Sequence, residues 1–220
     1  SKVTDIPMVN LATRIMMGDT LKNMGYTSGL HTVKDYVAVK VPVFSFAKLQ
    51  DVDTQLGPEM KSTGEVLGVA KTFEDAIYKG LVASGNKMEC TGGVLLTVRD
   101  RDKEEIIDIG HRFNKMGFRI YATVGTALVL NEHNIPAKVV KRMAEKEPNI
   151  GNLLESGDVT YVISSTKGRQ PEQDEVKMRR KAVETSITLL TSLDTARALL
   201  NCLESSKTMA DIELVDINTI

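Results

Sequence analysis

Hydroxyl and cationic side chains gather at points where the hydropathy pattern predicts that apolar strands end. Residues 123–126 read Thr-Val-Gly-Thr directly after one apolar run, and residues 164–169 read Ser-Ser-Thr-Lys-Gly-Arg after another. Hydroxyls and a glycine at the start of a helix favour an anion, because the first backbone amides lack intrahelical partners and the helix dipole is positive there. Basic side chains such as Lys103 and Arg142 can add charge-assisted hydrogen bonds to phosphate oxygens. This combination predicts a site for a phosphorylated small molecule.

Five short apolar runs must position these groups, and each has the length and composition of a buried strand. They occupy residues 94–98, 118–121, 137–140, 161–163 and 187–190. Helical patterns lie between them, the clearest at residues 103–116, with Asp102 and Glu105 as expected caps and Gly117 as the stop. The alternation predicts an α/β fold with a mostly parallel five-stranded sheet and helices on both faces. In such sheets ligands bind beyond the carboxyl ends of the strands.

Composition argues against several classes of function. A net charge of -1 gives no general attraction for nucleic acid or for an anionic membrane, so neither is an expected partner. Cys90 and Cys202 form no CxxC pair and no Cys/His cluster, which is typical of reduced thiols in a cytoplasmic protein. No apolar run approaches the ~20 residues of a membrane span, and no histidine has partners at metal-ligand spacing.

Turn-forming residues at 84–93 divide the chain into two halves, 1–90 and 91–220. In the first half the pattern predicts a helix over residues 7–17, strands over 37–43 and 65–70, and a helix that begins at Thr72. The stretch between those strands has no convincing period, which is typical of a functional loop or of a segment that needs outside support.

Residues 56–68, Leu-Gly-Pro-Glu-Met-Lys-Ser-Thr-Gly-Glu-Val-Leu-Gly, closely resemble the stretch that ends the ATP-grasp domains of carbamoyl phosphate synthetase large chains. Residues 72–76, Thr-Phe-Glu-Asp-Ala, continue the match. Residues 94–203 resemble the methylglyoxal-synthase-like regulatory domain that ends the same large chain. The resemblance implies that residues 1–90 are the C-terminal remnant of the second ATP-grasp domain and that residues 91–220 are the allosteric domain.

The resemblance also implies a set of effector contacts at the carboxyl edge of the sheet. The effector would be UMP, IMP or phosphoribosyl pyrophosphate. Enteric relatives carry Lys in place of Arg142, and Asn and Thr in place of Ser164 and Ser165. A second effector, ornithine, would contact Glu65 and Thr191. The implied effector-binding residues are Thr97, Lys103, Thr123, Thr126, Arg142, Ser164, Ser165 and Thr166.

A full-length enzyme of this family makes carbamoyl phosphate for pyrimidine and arginine synthesis from bicarbonate, glutamine-derived ammonia and ATP, with Mg or Mn. Its partners are the rest of the large chain and a glutaminase small chain. We interpret this chain as an expressed fragment that holds no cofactor and lacks that activity on its own.

Two other functions stay open at this stage. The second half could be a free-standing methylglyoxal-synthase-like enzyme, which needs carboxylates and a histidine to move protons. Against it, residues 164–173 contain no Asp, and no His stands directly after Thr123. It could also be a dimerisation module, since family members associate through these ends, so a homo-oligomer is an open expectation.

Overall fold

The structure, a computed structural model, describes residues 1–32, 35–46, 48, 54, 56, 58–165, 173–205 and 208–216. No helix within these ranges has the length and apolar character needed to cross a membrane. The elements run in the order α1 Met8–Met16, β1 Val37–Val43, β2 Gly64–Ala70, α2 Phe73–Ala83, β3 Gly93–Thr97, a 3-10 turn Asp100–Asp102, α3 Lys103–Lys115, β4 Arg119–Ala122, α4 Val124–Glu132, β5 Ala137–Val139, α5 Ile150–Glu155, β6 Tyr161–Ser164, α6 Gln173–Glu184, β7 Thr188–Leu190, α7 Leu193–Glu204 and a 3-10 turn Met209–Asp211.

Strands β3 to β7 form one sheet in the order β5-β4-β3-β6-β7, and every neighbouring pair is parallel. Side chains alternate between the two faces along a strand. Leu96 of β3 therefore joins the core under α3, α4 and α7, whereas Leu95 joins the core under α5 and α6. Both side chains are fully buried. The predicted α/β fold with helices on both faces of a five-stranded parallel sheet is confirmed.

Helix α3 follows the predicted pattern, with Ile106, Ile109 and Phe113 all at 0% exposure. It is followed by Gly117, whose φ of +84° is a left-handed conformation that glycine adopts without strain. The predicted cap is wrong, because Asp102 makes no side-chain cap bond to the helix. Its carboxylate instead accepts a hydrogen bond from Arg99 Nε at 2.5 Å.

Two elements differ from the sequence prediction. Strand β5 is not a buried strand, because it lies at the edge of the sheet and leaves the Val139 side chain 52% exposed. Helix α5 was not anticipated. It is a short helix of six residues, and Asn149 caps it by accepting hydrogen bonds from the amides of Gly151 and Asn152.

The first half is an antiparallel pair, β1 with β2, covered by α2. Helix α2 begins as predicted after Thr72, whose hydroxyl accepts the amide of Asp75 at 3.2 Å. It also packs against α7, where the Cys202 thiol lies 3.5 Å from the Glu74 carbonyl oxygen. The Leu81 side chain belongs to the larger core of the sheet. Helix α2 therefore joins the two halves through apolar packing.

Candidate ligand-binding site

A crevice with two lobes lies beyond the carboxyl ends of β3, β4 and β5. We name the lobes after the helices whose first turns line them, and the α4 lobe is the larger, at about 370 Å³ against about 70 Å³ for the α6 lobe. Both lobes are lined by Val98, Arg99, Thr123 and Arg142. The α4 lobe is also lined by Asp100, Lys103, Val124, Gly125, Thr126, Val140 and Glu145. The α6 lobe is also lined by Thr97, Met143, Ile150, Ser165, Asp174, Glu175 and Met178.

The α4 lobe lies at the start of α4, where the N-cap residue leaves the first backbone amides without a side-chain hydrogen bond. Thr123 occupies the N-cap position in an extended conformation and makes no side-chain cap bond. Its hydroxyl instead donates to Thr97 Oγ1 at 3.3 Å, across the ends of β4 and β3. Val124 and Gly125, the first two residues of α4, line the lobe. Their amides precede the first intrahelical bond, so the lobe has the donors and the positive dipole end that favour an anion.

Lys103 places a positive charge beside the same helix start. Its Nζ forms an ion pair with Asp100 Oδ1 at 2.7 Å, and a quarter of its side chain is exposed. A Cβ atom at Gly125 would lie 2.9 Å from this Nζ, so the ammonium approaches the α4 backbone as closely as a glycine allows. The cation and the helix dipole therefore act at one place.

Two arginines stand where the lobes meet. Arg142 follows β5, and its backbone amide donates to Glu145 Oε2 at 2.6 Å. Arg99 was not singled out from the sequence, and the structure places it there by an ion pair with Asp102. Burial alone would raise the pKa of Asp102, but hydrogen bonds to Ser165 and Arg99, with the charges of Arg99 and Arg101, outweigh it and hold this pKa below its usual range. Asp102 therefore stays ionised and fixes Arg99.

Thr126 and Ser165 are more deeply buried than the sequence prediction implied, at 1% and 7% exposure. The Val98 amide donates to Thr126 Oγ1 at 3.3 Å. The Arg99 amide donates to Ser165 Oγ at 3.1 Å. The two hydroxyls therefore hold the turn after β3, and this turn carries Arg99. Because the Thr126 and Ser165 hydroxyls already accept these backbone amides, their geometry fits a role in shaping the crevice better than direct contact with a phosphate.

Other predicted residues lie apart from the crevice. Ser164 is buried in β6, at 2% exposure, and lines neither lobe. Thr166 lies outside the described residues. Glu65 is on β2, where it pairs with Lys40 Nζ at 2.6 Å. Thr191 is exposed just after β7. Neither of the two residues suggested for ornithine lines the crevice, and no hydrogen bond between them is seen in the described part of the chain.

Asp174 and Glu175 are two lining residues of the candidate site that sequence reasoning missed. They lie in the first turn of α6 and line the α6 lobe beside Met178. Asp174 Oδ2 accepts the amide of Ala144 at 3.3 Å. Acidic residues in a first helical turn are usually explained by the helix dipole. The only signal in the sequence for a place in the site was therefore their position after the strand that became β6. The carboxylates of Asp174 and Glu175 therefore line the site, although residues 164–173 contain no Asp.

Metal ligation has no basis in the part of the chain that the structure describes. No group of three or more His, Cys, Asp and Glu side chains there could hold a metal ion. His133 lies at the C-terminal end of α4, away from the lobe at the start of that helix, and its Nδ1 is 2.8 Å from the Val129 carbonyl oxygen.

The parallel sheet with helices on both faces and a crevice at its carboxyl edge defines the class of fold. Residues 105–191 match the family model described as the MGS-like domain, so this part of the chain has an MGS-like fold. Two solved structures are similar over about half of the chain. Methylglyoxal synthase from Elizabethkingia anophelis NUHP1 is 15% identical, with a TM-score of 0.42 over 50% of this chain and 78% of that one. ForH is 16% identical, with a TM-score of 0.35 over 52% of this chain and 81% of that one.

Proposed function

We propose that this chain is the regulatory C-terminal part of the large chain of a glutamine-dependent carbamoyl phosphate synthetase. Its crevice would bind a phosphorylated effector such as UMP, IMP or phosphoribosyl pyrophosphate. The observation that carries the proposal is the meeting of Lys103, Arg142 and the first turn of α4 in one lobe. The resemblance of residues 56–68 to the end of an ATP-grasp domain supports the parentage.

Such a site acts through differential binding. Each hydrogen bond to a charged group contributes about 1.5–3 kcal/mol, so three such contacts contribute about 4.5–9 kcal/mol, which corresponds to a site in the millimolar to micromolar range. An effector that binds two states of the enzyme unequally changes activity at a distant site by a coupling free energy of about 1–3 kcal/mol. ATP, Mg or Mn, the rest of the large chain and the glutaminase small chain would belong to the assembled enzyme.

Calorimetry with UMP, IMP, phosphoribosyl pyrophosphate and inorganic phosphate tests the proposal. Arg142→Ala should weaken binding of a monophosphate by about tenfold to a hundredfold, because it removes one charged contact. Arg142→Lys should retain much of the affinity, since a phosphate accepts a point charge. Arg119→Ala is the matched control, because Arg119 is an exposed arginine at the opposite end of β4, paired with Asp158 at 3.0 Å. Absence of binding at millimolar concentration, or an unchanged affinity in Arg142→Ala, would refute the site.

A second candidate function is catalysis by the same crevice, as in methylglyoxal synthase. The carboxylates of Asp174 and Glu175 favour it, because proton transfer needs such groups. Against it, the described lining residues include no histidine. An assay for methylglyoxal from dihydroxyacetone phosphate separates the two functions. Turnover that is abolished by Asp174→Asn would replace the regulatory proposal with an enzymatic one.

A further inference from the structure

The chain continues past α7 as a segment that returns to the first half of the molecule. We call residues 208–216 the tail. It begins with the 3-10 turn Met209–Asp211, where Asp211 Oδ2 accepts the Thr208 amide at 2.8 Å. Residues 212–216 then line a cavity of about 510 Å³ together with the end of β2 and the start of α2. The tail therefore follows the second half in sequence but lies against the first half in space.

Lys79, in the middle of α2, joins the tail to β2 through one ammonium group. Its Nζ donates to the Val69 carbonyl oxygen at 2.7 Å and to the Glu213 carbonyl oxygen at 2.6 Å. Two carbonyl oxygens cannot bind each other, whereas a lysine ammonium has three donors and can bind both. Hydrogen bonds from a charged donor are also about twice as strong as neutral ones. Lys79 therefore holds the end of β2 and the tail together.

The rest of the tail is packed weakly. The Leu214 side chain is 92% exposed, and Ile212 is only half-buried. By contrast, Val69 and Ala70 of β2, which line the same cavity, are buried. Segments with few buried apolar contacts open at a low cost in free energy, while the packed core around them stays closed. The tail can therefore leave its place without unfolding either half.

We propose that the tail is a detachable strap, which ties the second half to the first through Lys79 and loosens the end of β2 and the start of α2 when it is released. The two halves are then joined at two places of unequal strength. The packing of α2 against α7 and the sheet core persists throughout the folded state, whereas the strap opens and closes. The inference is independent of the proposed ligand site, because none of the described tail residues lines either lobe.

Hydrogen exchange followed by mass spectrometry on the full chain tests the strap. Lys79→Met should speed exchange at residues 64–83 by about threefold to tenfold, a modest factor because the contact with Glu213 is exposed to solvent. Lys79→Arg should restore most of the protection, since a guanidinium also offers several donors. Lys71→Met is the matched control, because Lys71 is an exposed lysine on the same cavity with no hydrogen bond to the described part of the tail.

A chain that ends at Ser205 separates the strap from a purely local role of Lys79. Removal of the tail should itself speed exchange at residues 64–83. The effect of Lys79→Met should then be at least about threefold smaller than in the full chain, because groups that act through one contact give non-additive losses. Circular dichroism should show that every variant keeps the wild-type fold. Unchanged exchange after removal of the tail, or an equal effect of Lys79→Met in the full and shortened chains, overturns the proposal.

Discussion

The Nζ of Lys103 lies beside the backbone of Gly125, so near that a Cβ atom on Gly125 would be 2.9 Å from it. The Lys103 ammonium and the first turn of α4 thus lie next to each other in the α4 lobe. The contact would be with the far end of a flexible lysine, so a methyl group on Gly125 displaces the ammonium without breaking the fold.

Gly125→Ala should therefore weaken binding of a monophosphate while the stability of the chain changes little. We expect a loss of about threefold to tenfold, smaller than the loss from Lys103→Ala, because the ammonium is moved and not removed. Since both changes act on one contact, the double variant should lose less than the product of the single losses. Calorimetry on the four proteins checks this, and strictly multiplicative losses would show that the two residues act independently.

Tyr161, at the start of β6, forms hydrogen bonds to the backbone of the linker between the two halves. Its hydroxyl donates to the Glu89 carbonyl at 2.8 Å and lies 3.3 Å from the Lys87 carbonyl. Burial raises the pKa of this phenol, so it stays protonated and remains a donor. Tyr161→Phe should cost about 1 kcal/mol of unfolding free energy and speed amide exchange at residues 86–91. Tyr121→Phe, on β4 of the same sheet, is the control and should leave linker exchange unchanged.

A substitution at Leu81 tests how much the packing of the first half against the second contributes to stability. Its side chain is 8% exposed and lies in the core that also contains α7 residues. Leu81→Ala should lower the unfolding free energy by about 2–5 kcal/mol, as a truncated buried leucine does. Leu128→Ala, at a position 60% exposed on α4, should stay within about 0.5 kcal/mol. Urea denaturation of both variants decides the matter, and equal losses would contradict the packing of α2 against the sheet core.

The lowered pKa of Asp102 predicts how the unfolding free energy changes at acidic pH. Its pKa is held below the usual range, so its stabilisation is complete above the unfolded-state pKa of about 3.9 and disappears as pH falls through the lowered folded value. Asp102→Asn should be less stable than wild type near neutral pH, and its stability should decline less steeply in that acid window. Urea unfolding at several pH values from 2 to 6 tests this. Asp108→Asn, an exposed change on α3, should follow the wild-type curve.

Much of the fold could be predicted because strand and helix patterns are local. The apolar runs of β3, β4 and β6 and the periodic face of α3 are visible in single stretches of sequence. Parallel strands carry their carboxyl ends to one edge of the sheet, so the sequence alone predicts that Thr97, Thr123 and Arg142 lie in one site. The left-handed stop at Gly117 was predictable for the same reason, since it depends on one residue type.

The tertiary structure alone decided which of these side chains face the crevice. Strand order is set by pairing between distant segments, and it made β5 an exposed edge strand and placed the α4 start beside Lys103. Ser164 has the right residue type and position, but packing directs it into the interior, and the hydroxyl of Thr126, although Thr126 lines the α4 lobe, accepts the Val98 amide. Asp174 and Glu175 entered the site because α6 begins at the crevice, which no local pattern encodes. Local periodicity thus determined the elements and the binding edge, whereas non-local packing determined the direction of each side chain and hence the chemistry of the two lobes.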